Sequence, residues 1–192
     1  MDWIAVRFIH GIGHTRLFSH LQMKNKHWVI AGPESTGKSS LWQALAPHIP
    51  MAEFVPEYNR IWLEENKITP PYTPAVLTAV FQDSLNHYDT FEQHALCIWD
   101  TDELNLALWS RHENHPMQGL LMHRFLKNNH QYILCPPDLD WEYDPLRQGP
   151  ESRDALWRGH LELLNHKEYY KIESMDLNER VQEVLLLIRH SG

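Results

Sequence analysis

The residues Gly32-Pro33-Glu34-Ser35-Thr36-Gly37-Lys38-Ser39 set two glycines, a lysine and a hydroxyl at the spacing of a phosphate loop. In such a loop the glycines let successive backbone N–H groups point into one concavity. The helix that follows adds its unsatisfied amide donors and the positive end of its dipole. The chemistry this suits is the holding of a nucleoside triphosphate. The spacing gives Lys38 to the β- and γ-phosphates and the Ser39 hydroxyl to the coordination sphere of Mg2+. Gly32, Glu34, Ser35, Thr36, Gly37 and Ser40 surround the same polyphosphate.

A loop of this kind has to be carried by a strand and a helix, and the flanks supply both. His27 to Ala31 is an apolar run that reads as a buried strand, and Leu41, Trp42 and Leu45 recur at helical spacing until Pro47. A second strand, Met51 to Val55, leads into Pro56-Glu57-Tyr58-Asn59-Arg60. Open parallel sheets bind ligands at the carboxyl ends of their strands, so these polar residues are placed to meet one. The strand Ala95 to Trp99 ends on Asp100-Thr101-Asp102, where phosphate-loop proteins keep an acid that holds Mg2+; Asp100 is the candidate.

The remaining chain repeats the alternation. Thr73-Pro74 caps a helix with Leu77, Phe81, Leu85, Tyr88 and Phe91 on one face, predicted to run to about His94. Two more helices fall at Leu104 to His112 and Met117 to Asn128, followed by a strand at Gln131 to Cys135. Asp138 to Gly149 has no period and is expected to be a loop over the site. Leu156, Trp157, Leu161 and Leu164 form a helix despite Gly159, which costs about 1 kcal/mol against alanine. Tyr169 to Ile172 is the last strand. Asp176-Leu177-Asn178-Glu179 opens the last helix as a capping box. Strands alternating with helices predict an α/β fold: a parallel sheet with helices on both faces and right-handed crossovers.

At 192 residues and 43% hydrophobic, the chain suffices for one well-buried domain. A net charge of -8 argues against nucleic acid as a partner, and no apolar stretch reaches membrane-spanning length. Cys97 and Cys135 each lie in an apolar strand, as expected of reduced thiols in a cytoplasmic protein. The fourteen histidines are scattered without metal-site spacing. Residues 1–26 carry four basic side chains against one acid and are expected to be a poorly ordered or loosely packed extension. The domain proper is 27–192.

Among phosphate-loop proteins, a GTPase should carry a guanine-reading Asn-Lys-x-Asp, and Asn66-Lys67-Ile68-Thr69 lacks the aspartate. A remodelling ATPase needs a larger body and, as a rule, an acid directly after the metal aspartate, where Thr101 stands. A small-molecule kinase needs about this length, an acceptor site beside the γ-phosphate and an arginine-bearing lid. The phosphate loop, Glu57-Tyr58-x-Arg60, Asp100-Thr101-Asp102, Asp140-Trp141-x-x-Asp144-x-x-Arg147 and Arg153 together resemble the ribosylnicotinamide kinase domain of NadR-type proteins, over about His27 to His190.

That resemblance implies a five-stranded nucleotide kinase-like sheet without the adenylyltransferase domain of those proteins. It also implies transfer of the ATP γ-phosphate to nicotinamide riboside, giving nicotinamide mononucleotide. Lys38, Glu57, Asp100 and Arg147 are then the catalytic candidates, with Ser39 and Asp100 on Mg2+ and Arg153 on phosphate. Tyr58, Arg60, Asp102, Trp141 and Tyr143 are the substrate candidates. Glu57 accepts the hydroxyl proton or holds Mg2+ through water, with Asp102 competing for the base role, and Trp141 and Tyr143 can stack on a flat ring. A kinase for another nucleoside or metabolite, and a regulatory ATP-binding module, are the alternatives.

Overall fold

The computed structural model describes residues 26–146 and 152–190. Of the expected extension only Lys26 is among them, and it opens the first strand. Five strands form one sheet: β1 (Lys26–Ala31), β2 (Glu53–Val55), β3 (Leu96–Asp100), β4 (Gln131–Leu134) and β5 (Tyr169–Lys171). They lie in the order β2-β3-β1-β4-β5, and every pairing is parallel. β1 is therefore central, with Ile30 opposite Asp100 on one side and Ile133 on the other. The phosphate loop that follows it emerges where the crossovers diverge, at the switch point that open α/β sheets use for ligands.

Alternation along the strands sends side chains to two faces. Trp28, Ile30, Ile98 and Ile133 pack against α1 (Lys38–Leu45) and α7 (Leu177–His190) through Leu41, Leu45, Val184 and Ile188. Val29, Ala31, Trp99, Tyr132 and Leu134 pack with the other helices: α2 (Tyr58–Glu65), α3 (Pro74–Asp89), α4 (Glu103–His112), α5 (Gln118–Lys127) and α6 (Arg153–Leu164). Burial on both faces is why these strands read as continuous apolar runs rather than as alternating ones.

The helix ends follow their caps. Thr73 accepts from the Val76 amide, with Pro74 at the first helical position. Asp176 accepts from the amides of Asn178 and Glu179. Glu179 does not reach back directly, as a simple capping box would; its carboxylate takes the Ser174 hydroxyl, which in turn accepts from the Asp176 amide. α3 stops at Asp89, short of the predicted His94. Consecutive turns, with Phe91 N–H on the Tyr88 carbonyl and His94 N–H on the Phe91 carbonyl, keep Phe91 against the core without a helix.

Two glycines are dictated by contact. At Gly32, φ is +145°, and a Cβ would fall 2.4 Å from the Cys135 carbonyl oxygen. At Gly159 a Cβ would fall 2.7 Å from the Leu108 side chain, so this glycine is the point where α6 seats on α4.

Candidate functional site

Lys38 is buried, its Nζ donating to the Pro33 carbonyl at 2.7 Å, and Thr36 Oγ1 donates to the same oxygen at 3.0 Å. Gly37 sits at φ +75° before the first turn of α1, which carries Ser39 and Ser40 exposed. Asp100 is buried at the carboxyl end of β3, beside the end of β1. Asp100 and Ser39 offer a carboxylate and a hydroxyl, hard oxygen donors of the kind Mg2+ takes, so the residues present fit that ion.

Arg180 holds the loop from behind, and sequence reasoning missed it. It is 1% exposed, with Nη1 donating to the Thr36 carbonyl at 2.7 Å, Nη2 to Asp138 at 3.1 Å and Nε to the Ser174 carbonyl at 2.7 Å. A sequence signal existed: Arg180, Val184 and Ile188 follow one another at i+4 on an otherwise apolar stripe. Arg153 comes to the same loop, donating to the Ser35 carbonyl at 2.9 Å and the Leu139 carbonyl at 2.7 Å.

The segment after β4 is a strap over the site. Ser35 Oγ donates to the Glu142 carbonyl and accepts from the Glu142 amide. Asp144 is paired with Arg60, and Tyr72 donates to the Leu146 carbonyl at 3.1 Å. The predicted loop thus ties the phosphate loop to α2 and to the approach of α3. Arg147 lies outside the described residues.

Beneath the strap lies an open cleft with a cavity volume of about 80 Å3. Gly32, Pro33 and Glu34 close one end of it. Glu57 and Asn59 line it from the start of α2, Trp109 from α4, and Leu156 and His160 from α6. Glu57 is 5% exposed, its carboxylate taking Asn59 Nδ2 at 3.3 Å and lying 3.8 Å from Arg60 Nε. Arg60 is therefore beside it, yet the acid itself is buried in the cleft. Arg60 also meets Glu64 at 3.1 Å.

Four expected substrate contacts are placed elsewhere. Asp102 does not line the cleft, because Thr101, at φ +67°, turns the chain so that its side chain folds inward. There it caps α4 through the Leu104 amide at 2.9 Å and accepts from the Tyr132 hydroxyl at 2.7 Å and from His130 Nδ1 at 2.8 Å. Tyr58 stacks on His87, with centroids 4.2 Å apart. Tyr143 is 81% exposed and touches Trp141 edge-on; neither lines the cleft. The aromatic surface there is Trp109 with Tyr72 in edge contact at 5.4 Å.

Asp102, Glu103 and His130 also lie close enough to one another to suggest a metal group. Each is already bonded within the protein: Glu103 takes Asn128 and Arg124, and His130 meets His27 at 3.3 Å. Burial, then the neighbouring Asp102, raises the Glu103 carboxyl above the ordinary range. The cysteines are free and buried, and burial pushes both thiols up to about 12.

His160 lines the cleft and is strongly perturbed. Burial pushes it down to about 4 against the bond from Nδ1 to the Leu156 carbonyl at 2.8 Å, with Lys38 lowering it further. The unfolded chain, with an ordinary imidazole near 6.5, therefore binds the extra proton between pH 6.5 and 4 while the folded protein does not. Stability is complete above pH 6.5 and falls as the pH drops through this window, by up to about 3 kcal/mol at pH 4. Melting temperatures of wild type and His160→Gln from pH 4.5 to 7.5 should show a shallower acid slope in the variant; identical slopes would contradict the assignment.

Fold and site together define a phosphate-loop domain of the nucleotide kinase-like type, with a parallel five-stranded sheet and a helix-walled cleft beside the loop. A family model described as an AAA domain matches residues 27–182. The chain belongs to that family. No curated protein matches the chain in sequence. Among solved structures it is similar to the NadR protein in complex with NR, at a TM-score of 0.66 and 16% identity, over 86% of this chain and 49% of that one. It thus spans about half the length of that protein. Thymidylate kinase from Ehrlichia chaffeensis matches at a TM-score of 0.62 and 11% identity, over 86% of this chain and 99% of that one. Shikimate kinase from Acinetobacter baumannii gives 0.51 and 15%, over 89% and 96%. These likenesses establish the fold. No described helix is long and apolar enough to cross a membrane.

Proposed function

We propose that the chain is an ATP-dependent small-molecule kinase acting on a nucleoside-like hydroxyl, with nicotinamide riboside as the leading acceptor. The observation that carries this reading is the buried carboxylate of Glu57 in a cleft whose end wall is the phosphate loop itself. A hydroxyl bound there lies between a proton acceptor and the place where the loop holds a γ-phosphate. The fold shared with NadR, thymidylate kinase and shikimate kinase supports phosphoryl transfer, and the complex of NadR with NR supports the choice of acceptor.

Phosphoryl transfer asks the protein mainly for positioning and for charge stabilisation. Lys38 supplies positive charge to the transferring group, and Arg153 and Arg180 keep the loop in its binding shape. Glu57 takes the proton from the attacking hydroxyl as the oxygen–phosphorus bond forms, and the bond to the leaving ADP oxygen breaks. Mg2+, held by Ser39 and Asp100, would neutralise phosphate charge when bound. The strap and the helix walls exclude water from the acceptor, so that transfer prevails over hydrolysis.

The absence of Trp141 and Tyr143 from the cleft favours a second reading, a kinase for another nucleoside or metabolite. Incubation with ATP-Mg2+ and a panel containing nicotinamide riboside, common nucleosides and no acceptor, with products resolved by mass, separates the two. Nicotinamide mononucleotide above all other products is the expected result. Transfer to another acceptor keeps the kinase and replaces the substrate. ATP loss without an acceptor product would instead mark a regulatory ATPase module.

A further inference from the structure

The polar surface of the cleft is unusual in what it lacks. Its carboxylates are Glu34 and Glu57, and Arg60 is the one Arg or Lys among the described lining residues. That guanidinium already serves Asp144, Glu64 and Glu57. On the described walls an anionic acceptor therefore meets one guanidinium already committed to three carboxylates, while the Lys38 charge felt at His160 belongs to the loop that holds the transferring phosphate; a neutral acceptor needs no such partner.

The hydrogen-bonding groups point the same way. Asn59 is 6% exposed, and its amide is oriented by Glu57: a carboxylate demands the Nδ2 donor, at 3.3 Å, which leaves Oδ1 as an acceptor. That Oδ1 is buried without a hydrogen-bond partner among the described residues. His160 is oriented by its own helix. Its Nδ1–H donates to the Leu156 carbonyl at 2.8 Å, so the neutral ring keeps a lone pair on Nε2, for which no described residue supplies a donor. Both side chains line the cleft, one from α2 and one from α6, together with Trp109 from α4. A buried acceptor is satisfied only by a donor, and a ligand lacking that donor leaves it unpaired.

From this arrangement, and resting on the kinase reading above, we infer that His160 and Asn59 are specificity-determining residues: together they select acceptors that present hydroxyl donors, such as sugar hydroxyls away from the phosphorylated one, and the cleft rejects acceptors that carry an anionic group. His160 Nε2 and Asn59 Oδ1 read the donors. Glu57 is the carboxylate assigned to the reacting hydroxyl, and Trp109 offers an apolar face to the rest of the molecule. The discrimination is against nucleoside monophosphates and carboxylic acids, which share the fold's substrate range but not this charge pattern.

The test measures binding, which does not depend on turnover. Calorimetric Kd values are taken for adenosine, uridine and nicotinamide riboside, for their 2′-deoxy and 3′-deoxy counterparts and for the 5′-monophosphates, on wild type, His160→Leu, His160→Gln and Asn59→Leu. At least one riboside should bind wild type about 10- to 100-fold more tightly than its matched deoxy form, the range expected when one buried polar group loses its partner. It should also bind more tightly than its monophosphate. In His160→Leu or Asn59→Leu that ribo-to-deoxy ratio should collapse to within about threefold, with His160→Gln restoring part of it through its amide oxygen. A purely structural role would weaken both ligands equally and leave the ratio intact.

An unchanged ratio in both leucine variants overturns the inference, as does monophosphate binding equal to or tighter than riboside binding, or no riboside binding at all. The wild-type deoxy series decides the case even where a variant does not fold. A riboside that binds with the expected ratios but is never phosphorylated leaves this inference standing and removes the kinase reading. Phosphorylation of anionic acceptors alone does the reverse.

Discussion

Lys38→Ala should lose phosphoryl transfer by about 10³-fold or more while melting within a few degrees of wild type. The size of the loss follows from what the ammonium does: it places a full positive charge at the transferring group in a water-poor site. Removing one such preorganised group typically costs about 10²- to 10³-fold, and more where its charge is not replaced. The stability effect is small for a separate reason. Lys38 donates to the Pro33 carbonyl at 2.7 Å, and a hydrogen bond of this kind contributes about 1 kcal/mol net, while removing a buried ammonium also removes its desolvation cost. Activity and melting should therefore part company. Transfer within a few-fold of wild type would sink the phosphate-loop mechanism, and an unfolded variant would show that the lysine is structural.

What the sequence disclosed and what it concealed divide along the range of the interactions concerned. The phosphate loop, its strand and its helix are legible because their rules operate within a dozen residues. Glu57 and Asp100 could be nominated because a parallel sheet presents the carboxyl ends of its strands to a ligand, and both are buried at such ends. Asp102 sits only two residues further, but a left-handed Thr101 reverses its direction, and a positive φ at threonine is not a pattern that spacing reveals. The aromatic residues of the strap looked suited to stacking by type alone. The ring that lines the cleft is Trp109, whose facing depends on how α4 meets its neighbours.

His160 and Arg180 show the same limit with a usable clue attached. His160 lies at i+4 from both Leu156 and Leu164, and Arg180 precedes Val184 and Ile188 at the same interval. A polar residue repeated into an apolar stripe must find a buried partner. The pattern announces that such a partner exists, but not which one: for Arg180 it is the carbonyl of Thr36, 144 residues away.

That long-range contact carries the second large effect. Arg180→Met should lower stability by about 3–5 kcal/mol, the cost of opening a buried, hydrogen-bonded charge arrangement from one side. In a domain of this size that corresponds to a fall in melting temperature of roughly 10 °C or more. Three acceptors lose their donor at once. Asp138, with a third of its side chain exposed, can recover water, but the Thr36 carbonyl beneath the phosphate loop faces a methionine stem instead. The loop depends on this support because Gly37, where an added Cβ would lie 3.3 Å from the Arg180 guanidinium, leaves the turn free to adopt other conformations. Nucleotide affinity should therefore fall along with stability. Arg180→Lys should recover little, since an ammonium cannot direct donors to Thr36, Asp138 and Ser174 together as the planar guanidinium does. Melting curves and ATP titrations of the two variants check this, and a methionine variant that melts within about 2 °C of wild type, under 1 kcal/mol on the same scale, would show that the loop keeps its shape without Arg180.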